Sequence, residues 1–157
     1  MTASAGLDGD QLIATRHLDA EPVLVWEAFT TPEHLAAFWG GHHATVPPDS
    51  VAVDLRVGGT FELATEGPDG HRHVLRFRYE VVEPPTRLVL SEARTGITTE
   101  IRLEPSGSSR GTTVVVHQRR LPPELRSEAA RTGLAGILER LDVVVRQLTS
   151  DFPRRDP

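Results

Sequence analysis

The run PPELRSEAARTGLAGILERLDVVVRQL, Pro122 to Leu148, decides how the rest of the chain is arranged. Pro122-Pro123 interrupts the apolar stretch before it, and from Glu124 the sequence predicts one long helix. Leu125, Ala129, Leu134, Ile137, Leu138, Leu141, Val144, Val145 and Leu148 recur at three- and four-residue steps and so share a face. Arg126, Glu128, Arg131, Glu139, Arg140, Asp142 and Arg146 fall on the opposite face. A helix with so wide an apolar stripe needs a layer to cover it. Most of the chain before it reads as short strands, so that layer is a sheet. A long helix across a curved sheet leaves room for a chamber between them.

Moving outward, the segments before the helix alternate with period two. Gln11 to Leu18 is the first predicted strand, with Leu12, Ala14, Arg16 and Leu18 on one face. Val51, Val53, Leu55 and Val57 form a half-buried strand, Gly58-Gly59 a turn, and Phe61, Leu63 and Thr65 the facing strand. Asp69-Gly70 marks the next hairpin loop. His73, Leu75, Phe77, Tyr79 and Val81 then share one face of a long strand that Pro84-Pro85 stops. Arg87 to Glu92, Thr98 to Glu104 and Thr112 to Arg119 are three more strands, with turns at Thr95-Gly96 and at Ser106 to Gly111. Short regular hairpins predict an antiparallel meander.

Two helix starts lie between the first strand and the others. Asp19-Ala20-Glu21-Pro22 opens a short helix carrying Val23, Trp26, Ala28 and Phe29. Thr31, as N-cap, and Pro32 open another, which carries Leu35, Ala36, Phe38 and Trp39 and ends at Gly40-Gly41. The pair resembles a helix-turn-helix, but Pro32 to Trp39 has no basic residue to read DNA with. A net charge of -5 also argues against nucleic acid as a partner. No apolar run approaches the roughly 20 residues of a membrane helix, so no membrane insertion is expected. The absence of cysteine excludes disulfides, thiolate nucleophiles and Cys-ligated metals, and suits a cytoplasmic localisation. The sequence organises as a disordered lead-in over 1–10, a single domain over 11–149 and a polar tail over 150–157.

The ordered blocks Ala20-x-Pro22-x-x-Val25-Trp26-x-Ala28-Phe29-Thr30, Thr31-Pro32-Glu33-His34-Leu35-x-x-Phe38-Trp39-Gly40 and Asp54-x-Arg56-x-Gly58-Gly59-x-Phe61 carry a resemblance. So do Asp69-Gly70, Glu83-Pro84-Pro85-x-Arg87-Leu88 and Gly111-Thr112. Together they resemble the bacterial branch of the AHSA1-like (activator of Hsp90 ATPase homologue) family, within the START/Bet v 1-like (SRPBCC) superfamily. The match runs from about Gln11 to Leu148. It implies an α+β helix-grip fold: a curved seven-stranded antiparallel sheet wrapped around the C-terminal helix, with two short helices after the first strand. Two departures stand where the chamber would be. Many relatives have two tryptophans where this chain has Phe38-Trp39, and Gly-Trp where it has Gly133-Leu134. Both leave the chamber more aliphatic.

Phe38, Trp39, Phe61, Leu63, Phe77, Tyr79, Leu134, Leu138 and Leu141 are the residues expected to line the space between sheet and helix. His73 and His117, with Tyr79, are the polar groups expected to orient a ligand there. His73, Glu92 and His117 are the candidate general acids or bases. A slip of one residue in register would turn each of them outward. His71 and His73 face the same way and His42-His43 could lie near them, but four histidines without a recognised spacing do not make a metal site. No metal and no other cofactor is expected. Asp54 and Arg56 read as an exterior ion pair beside the Gly58-Gly59 turn.

The leading functional expectation is binding or sequestration of a small apolar or amphipathic ligand in the chamber. One alternative is a polyketide cyclase or aromatase-like enzyme using the same space. Another is a co-chaperone-like interaction module working through an outer surface. A homodimer is compatible with any of them.

Overall fold

The computed structural model describes residues 4–106 and 111–151. Eight strands form one antiparallel sheet, in the order β1-β2-β8-β7-β6-β5-β4-β3. These are β1 Ser4–Asp8, β2 Gln11–Leu18, β3 Ala52–Val53, β4 Thr60–Glu66, β5 Arg72–Glu83, β6 Arg87–Ser91, β7 Thr98–Ser106 and β8 Gly111–Arg119. Helices α1 Pro22–Thr30 and α2 Pro32–Phe38 follow β2, and α3 Glu128–Asp151 closes the chain's described part. This is the helix-grip architecture. The inner face of the sheet contributes Leu12, Leu18, Phe61, Leu63, Tyr79, Leu90, Ile101 and Val114 to a single core. Leu134, Leu138, Leu141 and Val145 of α3 meet them there.

Several boundaries differ from those expected. Ser4–Asp8 lies within the predicted lead-in but forms an eighth strand, because Gly9 (φ 60°) lets the chain reverse and pair Leu7 with Leu12. Residues 1–3 of that lead-in and 152–157 of the tail lie outside the described residues, as does the tip of the predicted 106–111 turn. The long helix begins at Glu128, not Glu124. A 3₁₀ turn occupies Pro123–Leu125, Arg126 leaves helical geometry (ψ 68°), and Ser127 Oγ accepts from the Ala130 amide at 3.2 Å as a cap.

The Val51–Val57 strand is reduced to Ala52–Val53, and Leu55 and Val57 are exposed. The chain there is committed instead to a compact turn. Asp54 N–H donates to Thr60 O, Gly59 N–H to Arg56 O, and Gly58 N–H to Tyr79 O, all at 2.8 Å. A bulge between Tyr79 and Val81 shifts the β5 register, so Val82 rather than Val81 packs against the core. At the second helix start, Pro32 stands at N1 as expected, but the Thr31 hydroxyl makes no cap; its carbonyl accepts from Leu35 at 3.0 Å. Thr112 Oγ1, fully buried, donates to Ala20 O at 2.7 Å and anchors the entry of α1 to β8.

Candidate functional site

A partly open, mainly apolar cavity of about 170 Å³ lies between α3 and the sheet. Its walls are Phe29 of α1, Trp39 after α2, Leu75 and Phe77 of β5, Ile101 of β7, Val116 of β8 and Leu134, Ile137 and Leu138 of α3. Glu92, Ile97, Thr99 and Gln118 complete it. The inner-facing alternation of the strands supplies one wall and the three- and four-residue steps of α3 the other.

Four of the sequence-nominated lining residues are in these walls: Trp39, Phe77, Leu134 and Leu138. Phe38, Phe61, Leu63, Tyr79 and Leu141 are instead fully buried in solid core. The aromatic members fill the space beside the cavity. Trp39 meets Phe61 edge-on at 5.1 Å, Phe61 stacks on Phe77 at 5.3 Å, and Phe38 meets Phe29 edge-on at 5.3 Å. The sequence does not single out Phe29, Leu75, Ile97, Thr99, Ile101, Val116, Gln118 or Ile137 as lining residues. Period-two alternation could have pointed to Ile101 and Val116, but not to which core residues border a void.

The three acid–base candidates separate. His117 lies on the outer face, since its neighbours Val116 and Gln118 face inward. There its Nε2 is 2.8 Å from Gln11 Oε1, and Arg119 Nη2 is 3.2 Å from its Nδ1. Partial burial and then the Arg119 charge hold its pKa below the ordinary histidine value. Opposite it, Glu100 is kept below the usual carboxylate range by the Arg87 hydrogen bond at 2.7 Å. His73 shares the side of Leu75 and Phe77 but is exposed, on a stretch of β5 that has no β6 beside it. Glu92 alone of the three borders the cavity; it is 8% exposed, and Thr95 Oγ1 donates to its Oε1 at 2.5 Å.

Among the described residues no cluster of three His, Asp or Glu side chains could hold a metal ion. His71 is exposed and paired with Asp69, and His42 reaches Glu139 at 3.1 Å. Asp54 and Arg56 pair at 3.0 Å in solvent. Gly136 meets the His42 ring, so it is the loop after α2 that comes close to α3 at this point.

The Tyr79 hydroxyl neither borders the cavity nor finds a partner among the described residues. Burial, and then the negative charge of Asp54, push its pKa far above the ordinary tyrosine value. An unpaired buried hydroxyl costs stability that its removal returns. Tyr79→Phe is therefore expected to be neutral or stabilising by up to about 1 kcal/mol in urea denaturation. A loss of that size would mean the hydroxyl has a partner in solution.

A family model described as Activator of Hsp90 ATPase homolog 1-like protein matches residues 19–146. Among solved structures, a protein from Rhodobacter sphaeroides aligns with a TM-score of 0.79 at 25% identity, covering 93% of this chain and 99% of that one. A protein from Nitrosomonas europaea aligns at 0.78 and 22% identity, over 92% and 99%. An AHSA1-like protein from Aeromonas hydrophila aligns at 0.76 and 20% identity, over 94% and 99%. The latter two show likeness of fold. A search of the curated proteins finds no match.

Proposed function

Because the chain belongs to the activator of Hsp90 ATPase homolog 1-like family, whose fold serves as a ligand-binding or helper domain, we propose that it binds a small apolar or amphipathic molecule between α3 and the sheet. The observation that carries this reading is the mainly apolar cavity itself. Interiors are close-packed, so a void of this size is a cost the fold sustains. Its volume of about 170 Å³ is comparable to a cavity that takes up one benzene molecule. The ligand is thus the size of one substituted ring, and burial of its surface at roughly 25 cal/mol per Å² supplies the affinity. An extended polyketide chain exceeds that space, and only Glu92 of the three acid–base candidates borders it. Both observations favour a binder over a cyclase. No described helix is long and apolar enough to cross a membrane, and a cysteine-free chain suits the cytoplasm.

Mass spectrometry of the purified protein, native and then denatured, tests the reading. A small extra mass held natively and released on denaturation is the expected result. Leu138→Trp, which fills the cavity, is expected to abolish the extra mass while a cooperative melt is retained. Ile137→Phe, placed on the less buried side of the wall, serves if Leu138→Trp does not fold. A clean apo mass, with no thermal stabilisation by ring-sized hydrocarbons, would remove the reading. A helper module acting on another protein would keep its partner after the cavity is filled.

A further inference from the structure

The polar side chains of the cavity wall are Glu92, Thr99 and Gln118, apart from the Trp39 indole N–H. Gln118 Nε2 donates to Thr99 Oγ1 at 3.4 Å, so these two partly satisfy each other. Glu92 is different. Its carboxylate accepts one hydrogen bond, from Thr95, and among the described residues no Arg or His nitrogen lies within ion-pair distance of it. Glu92 is 8% exposed as a residue and is the one charged side chain among those lining the cavity, so a cation held there would find its counter-charge in this carboxylate.

The topology places Glu92 at an opening. The β5–β6 ladder starts at Arg78 opposite Ser91, where β6 ends. The chain then turns back, with Gly96 N–H donating to Glu92 O at 2.8 Å and Glu92 N–H to Ile97 O at 3.0 Å. Beyond that point β5, from Arg72 to Phe77, is paired with β4 alone. The sheet splits here. Phe77 and Glu92 flank the split and border both the inner cavity and an outer groove of about 480 Å³. Arg76 and Arg78 of that groove are paired with Glu62 at 2.8 Å and Glu80 at 3.7 Å, and Arg120 also lines it.

Resting on the apolar-pocket reading above, we infer that the ligand enters through the split between β5 and the β6–β7 turn, and that it is a compact apolar amine. Its ammonium lies against the Glu92 carboxylate, and its ring lies among Trp39, Phe77, Leu134 and Leu138. The ammonium supplies that carboxylate with a counter-charge. A neutral hydrocarbon would fill the same space but give Glu92 no counter-charge. A carboxylate of the same shape would meet Glu92 as a like charge.

Benzylamine, toluene and phenylacetate are suitable probes, since they share a ring and differ at the polar end. Binding is followed at neutral pH by titrating the Trp39 indole N–H resonance, with Trp26, which does not border the cavity, as internal control. Wild type is expected to bind benzylamine at least tenfold more tightly than toluene or phenylacetate. Glu92→Gln is expected to weaken benzylamine at least tenfold and leave toluene as tight or tighter. Glu92→Asp is expected to give an intermediate loss, and decides the matter if the Gln variant does not fold. Equal binding of benzylamine and toluene, or benzylamine binding that ignores both Glu92 variants, would overturn the amine inference and leave the apolar pocket standing. Phenylacetate binding tightest would also overturn it, in favour of the groove arginines. If no probe perturbs Trp39, the pocket reading falls and takes this one with it.

Discussion

Asp142→Ala is expected to destabilise the protein by about 3–5 kcal/mol, the cost of stranding a buried charge. Asp142 sits on α3 where the three- and four-residue spacing puts it with the solvent-facing charges, yet its side chain is 10% exposed. Arg16 of β2, on the inner face with Leu12, Ala14 and Leu18, is 11% exposed and reaches it. Nε and Nη2 donate to Oδ2 at 3.1 and 2.6 Å. Arg146 Nε takes the other oxygen, Oδ1, at 3.0 Å. The Arg16 Nη1 is already buried without a partner among the described residues. Removing the carboxylate would leave the whole guanidinium in that state. A melting temperature lowered by about 10 °C follows from a loss of this size in a chain of this length. Replacing both residues by apolar ones, Arg16→Met with Asp142→Leu, is expected to recover most of the stability or exceed that of wild type. Chemical denaturation of the two single variants and the double variant separates the terms. An Asp142→Ala loss under about 1 kcal/mol would show that the pair is hydrated and not a true interior contact.

Gly59→Ala is expected to cost about 3 kcal/mol, the upper end for forcing atoms into occupied space. A Cβ at Gly59 would press directly onto the Asp54 carbonyl oxygen and lie 3.0 Å from the Arg56 carbonyl oxygen. Both are backbone atoms held by the turn's own hydrogen bonds, so neither can move aside. The adjacent Gly58 provides the contrast. It has φ 83° but its nearest non-neighbouring atom is the flexible end of Arg78 at 3.9 Å. Gly58→Ala should therefore cost only the left-handed conformation, about 1–2 kcal/mol. Urea denaturation of the two variants checks the order. If Gly58→Ala proved the more damaging, steric exclusion at Gly59 would not be the reason for the paired glycines. The substitution should also disturb the core, because Gly59 O accepts from the Tyr79 amide at 2.9 Å.

Legibility in the sequence follows from how local each signal is. Helix α2 with Pro32 at its start, the Asp69-Gly70 hairpin and the Thr95-Gly96 turn are decided by a few adjacent residues. They stand where the sequence puts them. Strand β1 is not legible in the sequence because its pattern is short and its pairing depends on the single turn residue Gly9. The strand expected through Val57 gave way because the hydrogen bonds of the Asp54–Gly59 turn outweigh a period-two pattern. Asp142 shows the same limit in the helix: its spacing is polar, but an arginine 126 positions away makes its burial tolerable.

The site divides in the same way. Periodicity alone determined that α3 turns Leu134 and Leu138 toward the sheet, and that Phe77 lies on the sheet's inner side. It could not determine that Phe61, Tyr79 and Leu141 pack solid while Trp39 and Phe77 border a void. That depends on how side chains from distant elements interlock. Nor could it decide the faces of His117 and His73. One side of a strand differs from the other by a single residue of register, and exposure at a strand's end depends on where its neighbour stops. The sequence points to Glu92 by its chemistry alone. Its place beside the opening was decided only in three dimensions, because β6 ends at Ser91 while β5 runs on paired with β4 only. Sequence patterns encode which residues leave water together. Where the space between them is left empty, and which charge is left at its edge, is a property of the assembled layers.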